Sequence, residues 1–275
     1  YVHTIALMYC DNPFHNYEHA SHVTMSCVKF LSRMVGSDIE ATDDYNIAAK
    51  SLHDHTYGIT TDPLTQFAVI MSALIHDVDH SGVPNIQLIK ENHKFCALFR
   101  NKSVAEQNSI DIAWELLMED AYVDLRRTIY SNEQELKRFR QLVVNAVLAT
   151  DIMDKELGLQ RKARWNKAFS DEIAMEGHRP SSEEDTNRKA TIVIEHLIQA
   201  SDVAHTMQNW YVYKKWNERL FEELYRAYKE GRSEKDPSED WYQGELGFFD
   251  FYIIPLAKKL KECGVFGVSS EECLS

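Results

Sequence analysis

The feature that most constrains this chain is an apolar run that ends directly in a cluster of ionisable residues. Residues 67–75 contain no charged side chain, which predicts a helix buried in the interior. The sequence HDVDH follows at 76–80 and places four ionisable side chains within five positions. Burying an unpaired carboxylate or imidazolium costs several kcal/mol, so such groups pair with one another or bind a metal ion. The alternative is a solvated helix end with a chance run of charges, and we favour a divalent metal site.

The remainder of the chain predicts an all-α fold. Apolar residues recur at helical spacing over residues 17–34, 43–53, 63–76, 103–119, 132–153, 182–204, 205–231 and 248–263. Asp43 and Asp44 are the expected cap of the second segment, and Asp62 with Pro63 opens the third. No alternating strand pattern or internal repeat is visible, and the charged stretch 230–240 predicts a surface loop. We therefore predict one compact, multi-helix domain over residues 1–275.

Composition narrows the classes of function. The formal net charge of −13 argues against binding of a nucleic-acid polymer or an anionic membrane face. An anionic small substrate then requires a local source of positive charge, which a metal ion supplies. The five cysteines are scattered and form no CxxC pair, as is typical of free thiols in a reducing compartment. No apolar run approaches the roughly 20 residues that a membrane span requires, so we expect a cytoplasmic domain without direct membrane contact.

The chain starts at Tyr1, without Met and without a signal peptide, which leads us to expect a domain cut from a longer polypeptide. Three properties of that parent protein stay open. They are its regulatory domains, its attachment to a membrane with this domain facing the cytosol, and its assembly into a homodimer.

Two further segments offer metal ligands at helical spacing. His15, His19 and His22 are four and three residues apart, so their side chains share one face of a helix. Asp202 and His205 lie one turn apart after an apolar stretch. Three helices would thus each direct His or Asp side chains inward. Imidazole suits zinc, whereas carboxylate with water suits magnesium or manganese.

Six short motifs follow one another along the chain. They are HNxxHA at 15–20, HDVDHxG at 76–82, SVxE at 103–106, ATD at 149–151, ASD at 200–202 and GFFDFYIIPL at 247–256. In their joint order and spacing, the sequence resembles the class I 3′,5′-cyclic nucleotide phosphodiesterases of the HD superfamily over essentially its whole length. The resemblance implies a bundle of about sixteen helices. It also implies metal-dependent hydrolysis of a cyclic nucleotide to the nucleoside 5′-monophosphate.

The resemblance assigns roles to the residues of these motifs. The implied ligands of the first metal, usually zinc, are His19, His76, Asp77 and Asp202. Asp77 also bridges to a second metal, magnesium or manganese, whose waters His80 and Glu106 orient. Two cations about 4 Å apart lower the pKa of a water between them and clamp the phosphate oxygens. His15, four residues before a ligand, is the implied general acid that protonates the leaving 3′-oxygen.

The resemblance also implies a base pocket in the C-terminal part of the chain. Phe248 would cover one face of the purine and Leu220 the other, although either residue alone is more often a core residue. The chain departs from the family pattern at three further positions of the substrate site. Glu245 stands where a glutamine normally contacts the base edge, Phe14 replaces a tyrosine, and His205 replaces a residue that is often asparagine.

The departure at position 245 bears on the choice of base. A glutamine can serve either purine by flipping its amide, whereas an ionised Glu245 only accepts hydrogen bonds. It can accept from guanine N1–H but faces the N1 lone pair of adenine, so cyclic GMP is favoured over cyclic AMP. Protonation of Glu245, or its pairing with a nearby Lys or Arg, would remove that preference. A fourth departure, Gln-Asn-Ser at 107–109 in place of Asn-His-His, leaves a histidine contact to phosphate in doubt.

Two other functions compete with this one. The first is another phosphohydrolase of the HD superfamily, from which the base clamp at 245–248 discriminates. The second is a nucleotide-binding regulatory domain without turnover, which the full set of implied ligands disfavours. The sequence His-Asp-His at 53–55 favours a capped helix end over a second metal motif. Four histidines have no partner at ligand spacing and are expected to be structural or exposed, namely His3, His93, His178 and His196.

Overall fold

The structure, a computed structural model, describes residues 1–34, 45–91, 94–169 and 183–266. The helices in these ranges are α1 Val2–Leu7, α2 Tyr17–Ser32, α3 Tyr45–His55, α4 Pro63–Ile75, α5 Asn85–Lys90, α6 Lys94–Leu98, α7 Val104–Met118, α8 Val123–Ile129, α9 Glu133–Ala149, α10 Lys155–Phe169, α11 Glu183–Asp202, α12 Trp210–Lys229, α13 Trp241–Phe248 and α14 Ile254–Glu262. Within the described residues there is no strand, and the one β-type contact is an isolated bridge between Met34 and Phe266. The predicted all-α, multi-helix fold is confirmed.

Helix α4 lies at the centre of the fold and delivers the ionisable cluster to the interior. It begins where the sequence predicts, because the Asp62 carboxylate accepts hydrogen bonds from the backbone N–H and the hydroxyl of Thr65 and Pro63 occupies the first turn. Helices α2, α9 and α11 pack against it. Its buried side chains, such as Val69 and Ala73, belong to a continuous apolar core. Full burial of a larger side chain such as that of Val69 stabilises the fold by about 1.5–3 kcal/mol.

Three helix ends meet beside this core. His19 lies in the first turn of α2, whose N-terminus is capped by the Asn16 side chain accepting from His19 N–H at 3.0 Å. His76 follows the last residue of α4, and Asp202 is the last residue of α11. Packing of α2, α4 and α11 against one another therefore places the three side chains together.

Two predicted helices have different bounds in the structure. The helix predicted over 132–153 ends at Ala149, because the Asp151 carboxylate accepts from the backbone N–H groups of Met153 and Asp154 and turns the chain. The helix predicted over 248–263 is preceded by α13, and a wider helical turn at Phe249–Ile253 joins α13 to α14. Pro255 in the first turn of α14 has no N–H to donate to the preceding turn, which accounts for the interruption.

Other predicted segments agree with the structure to within a few residues. The helix predicted over 205–231 begins at Trp210, because Asn209 caps it through Tyr211 N–H and Val212 N–H. The expected cap at Asp43 and Asp44 and the predicted helix start at 182 lie outside the described residues, as do His93 and His178. Among the described helices, none is both long and apolar enough to cross a membrane.

Candidate metal centre and catalytic cleft

The four predicted metal ligands converge at one point. His19 Nε2 lies 2.9 Å from Asp202 Oδ1 and 3.6 Å from Asp77 Oδ2. His76 Nε2 lies 3.0 Å from Asp77 Oδ2 and 3.4 Å from Asp202 Oδ1. The two imidazoles are only 2% and 1% exposed. Two imidazole nitrogens and two carboxylate oxygens thus face a common centre from three helix ends.

The environment of His76 tests whether these residues fit a cation. Its Nδ1 makes a 2.9 Å hydrogen bond with the carbonyl of Ala73, which leaves Nε2 to face the carboxylates. That Nε2 is buried and has no hydrogen-bond partner, although Asp77 Oδ2 is 3.0 Å away. A divalent cation accepts lone pairs from both atoms, and this mixed imidazole and carboxylate set suits zinc. The residues present therefore fit a metal ion.

Electrostatics at this point also favour positive charge. Burial acts to lower the pKa of His76, but the carboxylates of Asp77 and Asp202 outweigh burial and raise that pKa well above its usual value. Burial acts in the opposite sense on Asp77, and the neighbouring His76 nevertheless holds the pKa of its carboxyl well below the usual range. The carboxylates thus remain ionised and attract positive charge at this point.

A second pair, His15 and Glu223, flanks the four predicted ligands. Glu223 Oε1 contacts Nδ1 of His15, while Oε2 accepts from the backbone N–H groups of Phe14 and His15 at 2.9 Å each. Burial acts to lower the pKa of His15, but the charge and hydrogen bond of Glu223 raise it to about 9. The pKa of Glu223 is about 2, because His15 outweighs the effect of burial. Glu223 therefore fixes the ring orientation of His15 and keeps it protonated.

Glu223 lies in none of the motifs that predict the site. This carboxylate lies on the inner face of α12, seven residues after buried Trp216 and four residues before buried Ala227. An acid in phase with apolar residues on an amphipathic helix is a signal for a buried, partnered carboxylate. Its partner, more than 200 residues away in the chain, could not be identified without the fold.

His80 stacks on the ring of His15, with centroids 4.0 Å apart. Its Nδ1 accepts from the backbone N–H of Gly82 at 3.2 Å. Burial, reinforced by the charge of His15, lowers the pKa of His80 to about 4. The side-chain amide of Asn12 donates to the carbonyls of both His80 and His15, at 2.6 and 3.0 Å. A neutral imidazole is thereby held against a charged one.

Glu106 lies in a buried polar network on the other side of the cleft. Asn85 Nδ2 donates to Glu106 Oε2 at 2.9 Å and lies 3.3 Å from Asp151 Oδ2, and its Oδ1 accepts from Ala105 N–H. Ser103 Oγ donates to the same Asp151 oxygen at 2.7 Å. Burial, with the nearby charge of Asp151, raises the pKa of Glu106 to about 7. Asn85 thus links the predicted residue Glu106 to Asp151 of the ATD motif.

A cleft of about 240 Å³ connects these groups. His15, Asp77, His80, Glu106, Asp151 and Asp202 line it on the polar side, and Met153, Leu220 and Leu224 line it on the apolar side. The cleft thus contains one protonated histidine, one neutral histidine, several carboxylates and a ligand set for a cation. Such an arrangement can bind a phosphate ester and transfer a proton to it.

The predicted base residue Glu245 lies on α13, beside the N-terminal half of α12. Glu245 Oε2 accepts from the Tyr213 hydroxyl at 2.7 Å and from Asn217 Nδ2 at 2.6 Å. Asn217 Oδ1 in turn accepts from the indole N–H of Trp241 at 3.0 Å. These four residues line a second cavity of about 530 Å³.

The two residues of the predicted purine clamp have separate surroundings. Leu220 lines the metal cleft. Phe248 stacks on Tyr252, with ring centroids 5.3 Å apart, and packs on a small apolar cluster. The structure therefore brings the metal and proton-transfer residues together but does not bring Phe248 to the residues that line the cleft.

The sequence model of the family "3′5′-cyclic nucleotide phosphodiesterase" matches residues 14–266. The chain belongs to this family. A probable 3′,5′-cyclic-AMP phosphodiesterase of Caenorhabditis elegans is 28% identical over 259 residues, covering 90% of this chain and 34% of the relative. A dual-specificity calcium/calmodulin-dependent 3′,5′-cyclic nucleotide phosphodiesterase of Mus musculus is 26% identical over 255 residues, covering 89% and 30%. The chain thus spans about a third of the length of these relatives.

A solved structure shows the same fold at lower identity. The phosphodiesterase domain of a rhodopsin fusion protein from Salpingoeca rosetta aligns with a TM-score of 0.68 and 22% identity, covering 95% of this chain and 74% of that chain. The phosphodiesterase fold is therefore present in this chain.

The structure shows the contacts of the residues that depart from the family pattern. Phe14 is 5% exposed and packs edge-on against His205, with centroids 5.4 Å apart, and against His19 at 4.7 Å. Phe14 thus packs on the ring of the predicted ligand His19, and His205 packs on Phe14. Asn108 donates to Asp79 Oδ2 at 3.1 Å, and Ser109 donates to the carbonyl of Val78 at 2.7 Å. These two side chains hold the loop after α4.

The remaining histidines and Asp79 lie outside the cluster. Asp79 is exposed, although the sequence groups it with the ionisable residues at 76–80. His22 is exposed and packs edge-on against Trp216. His53 lies at the end of α3 and contacts the Thr61 hydroxyl at 2.6 Å, as a capped helix end predicts. His196 is buried between Trp165 and the carbonyl of Ile192, and His3 is exposed.

Proposed function

We propose that this domain hydrolyses a 3′,5′-cyclic nucleotide to the nucleoside 5′-monophosphate with bound divalent cations. The observation that carries the proposal is the buried, unpartnered Nε2 of His76 facing Asp77 Oδ2, within a family of phosphodiesterases. We further propose that residues 1–275 form one catalytic domain. The four cysteines among the described residues are free thiols, which supports a cytoplasmic location.

The ligand set proposed for the first cation, zinc, is His19, His76, Asp77 and Asp202. Asp77 also faces the cleft, where His80, Glu106 and Asp151 form a polar wall suited to a hydrated magnesium or manganese ion. When bound, the cations supply activation of the attacking water and stabilisation of the phosphate charge. The side chains that surround them fix ligand orientation and limit access of bulk water.

His15 is the proposed general acid. Glu223 occupies its Nδ1, so Nε2 is the nitrogen that can deliver a proton to the leaving 3′-oxygen. The raised pKa keeps that proton in place at neutral pH. The neutral ring of His80 stacked on His15 cannot compete as a proton donor there. The bond between phosphorus and the 3′-oxygen breaks as that oxygen takes the proton from His15.

A continuous helix face supports one nucleotide spanning both cavities. Tyr213 and Asn217 line the cavity that contains Glu245, whereas Leu220 and Leu224 line the metal cleft. The steps of four, three and four residues place these side chains on one face of α12. A phosphate in the cleft would therefore leave the base near Glu245 and the exposed aromatic residues beside it.

Glu245 supports a preference for cyclic GMP. Tyr213 and Asn217 both donate to its Oε2, and no Lys or Arg pairs with this carboxylate among the described residues. The other oxygen remains an acceptor, which matches the N1–H and 2-amino donors of guanine and opposes N1 of adenine.

A turnover assay tests the proposal. The purified domain is stripped with a chelator, reloaded with zinc and magnesium or manganese, and supplied with cyclic AMP or cyclic GMP in parallel. We expect 5′-monophosphate to form only after reloading. Binding of metal without turnover of either nucleotide would support a nucleotide-binding domain instead. Turnover of linear phosphate esters in preference to both cyclic nucleotides would support another phosphohydrolase.

A further inference from the structure

The loop that carries His80 is anchored to α12 by an arginine outside the cleft. Arg232 Nη1 donates to the carbonyl of Ser81 at 3.0 Å. Its Nε and Nη2 donate to the two carboxylate oxygens of Glu91, at 2.9 Å each. The two side chains are 28% and 23% exposed. One guanidinium thus binds both ends of the segment 81–91 with the planar, multiple-donor geometry that a lysine cannot supply.

The position of Arg232 is itself fixed by the end of α12. Gly231 adopts a left-handed conformation, with φ of 74°, and the backbone N–H of Arg232 donates to the carbonyl of Ala227 at 2.8 Å. Ala227 is buried against Val83 and Leu88 of the same segment. The arginine therefore leaves a rigid helix terminus rather than a free loop.

The anchored segment holds cleft residues on both sides of Ser81. His80 precedes it, with its own carbonyl bound by Asn12 at 2.6 Å. Asn85 follows it and binds Glu106. Between them, Gly82 has a positive φ, and a Cβ there would meet Asn12 Oδ1 at 3.2 Å and Glu223 Cγ at 3.4 Å. The turn consequently packs so tightly that a shift at Ser81 would move its neighbours.

Helix α12, which ends just before Arg232, also positions His15. Glu223, on the same helix α12, binds His15 through its side chain and its backbone N–H. The stacking of His15 on His80 therefore joins a ring positioned by α12 to a ring positioned by the loop. Arg232 is a polar connection between those two supports.

We infer that Arg232 is a positioning residue for phosphodiester hydrolysis: it holds the Ser81 carbonyl so that His80 and Asn85 keep their place opposite His15. The inference rests on the proposed function, since the expected effect is on that reaction. Arg232 acts through the loop and does not contact the substrate. Arg232 differs from a second ion pair between the same two segments. Lys90 and Glu234 lie 2.9 Å apart but are 53% and 88% exposed. Arg232 is less exposed and also binds a backbone carbonyl.

The test compares Arg232→Met with Lys90→Met in the metal-loaded domain. We expect Arg232→Met to lower kcat roughly tenfold with KM changed less than about twofold, because misplaced catalytic groups slow the chemical step. Lys90→Met should leave both constants within about twofold, as exposed pairs contribute little. Hydrogen–deuterium exchange of peptides covering 77–91 gives a readout independent of activity, and only Arg232→Met should accelerate it.

A charge swap separates positioning from simple cross-linking. The double variant Arg232→Glu with Glu91→Arg can restore an ion pair between the segments, but the glutamate at 232 cannot donate to the Ser81 carbonyl. We expect it to recover thermal stability without recovering kcat or exchange protection at 77–91. Full recovery of kcat by the swap, or equal exchange in Arg232→Met and Lys90→Met, would overturn the inference. A wild-type domain without turnover would refute the proposed function alone, since the exchange comparison still decides the role of Arg232.

Discussion

The metal cleft and the neighbouring cavity that contains Glu245 are the two ends of the proposed substrate site, and they are built by different means. At the metal end, His19 and His76 are 2% and 1% exposed and lie at the ends of helices that share the central core. At the base end, Trp210 and Tyr242 are 65% and 70% exposed, and Glu245 is held by two side-chain hydrogen bonds. Core packing thus fixes the proposed metal ligands, whereas side chains near solvent fix Glu245, the proposed contact to the base. Changes at the first end should alter rate, and changes at the second should alter selectivity.

The largest effect is expected from removing a metal ligand. Asp202→Ala and Asp77→Ala should each lower bound metal and reduce turnover by roughly 10³-fold or more, because charge stabilisation by a metal supplies several kcal/mol. Asp77→Ala should affect both sites, since Asp77 faces both. Metal content by mass spectrometry and kcat/KM measure the two effects. Asp124→Ala, at a carboxylate that is 90% exposed, is the control, and a near-normal rate in either ligand variant would contradict the assignment.

The next largest effect is expected at His15. His15→Ala should retain metal and lose roughly 10²–10⁴ in kcat, the usual contribution of a positioned proton donor. A substrate with a better leaving group should recover part of that loss, because it needs less protonation. The double variant with Glu223→Gln should be no slower than His15→Ala, since Glu223 acts through His15. Equal losses for good and poor leaving groups would assign His15 to structure instead.

The pH dependence of Glu223→Gln tests the protonation of His15 at the metal end. His15 must be protonated to act, and Glu223 raises its pKa to about 9 against burial. Activity should therefore persist through neutral pH and fall as pH rises through the folded pKa. Removing the Glu223 charge lowers that pKa, so the alkaline fall in kcat should move to lower pH and the rate at pH 8 should drop by roughly 10–100-fold. An NMR titration of the His15 ring in chelated protein measures the same shift, and an unchanged titration would contradict it.

The contrast between the two ends also explains what could be predicted from sequence. Local signals predict a buried cation site, since an apolar helix ends in HDVDH and histidines recur at helical spacing, whereas the choice of the four proposed ligands came from the family resemblance. Glu223 and Asn85 depend on contacts across more than 20 residues of chain, and their local patterns do not name a partner. Asp79 shows that membership of a motif does not fix the place of a side chain. It belongs to HDVDH but is exposed, has a positive φ of 60° and accepts a hydrogen bond from Asn108.

Helix bounds were predictable where a single cap decides them. Asp62 with Pro63 fixes the start of α4, as expected. The end of α9 depends on the Asp151 carboxylate capturing two backbone N–H groups, and apolar periodicity carries no information about that turn. The base end was the least predictable, because the donors to Glu245 come from a different helix, α12.

The smallest expected effect is on base selectivity at Glu245. Tyr213 and Asn217 both donate to Oε2, so a glutamine at 245 would turn its amide oxygen toward them and its NH₂ group toward the base. That group can donate to adenine N1 but opposes guanine N1–H. Glu245→Gln should therefore shift the ratio of kcat/KM for cyclic GMP over cyclic AMP toward cyclic AMP by about 1–2 kcal/mol, roughly 5–30-fold. Glu218→Gln, on the outer face of α12 with a side chain 66% exposed, is the matched control and should leave the ratio unchanged. Wild-type preference for cyclic AMP, or a ratio that Glu245→Gln does not move, would show that Glu245 does not read the base edge.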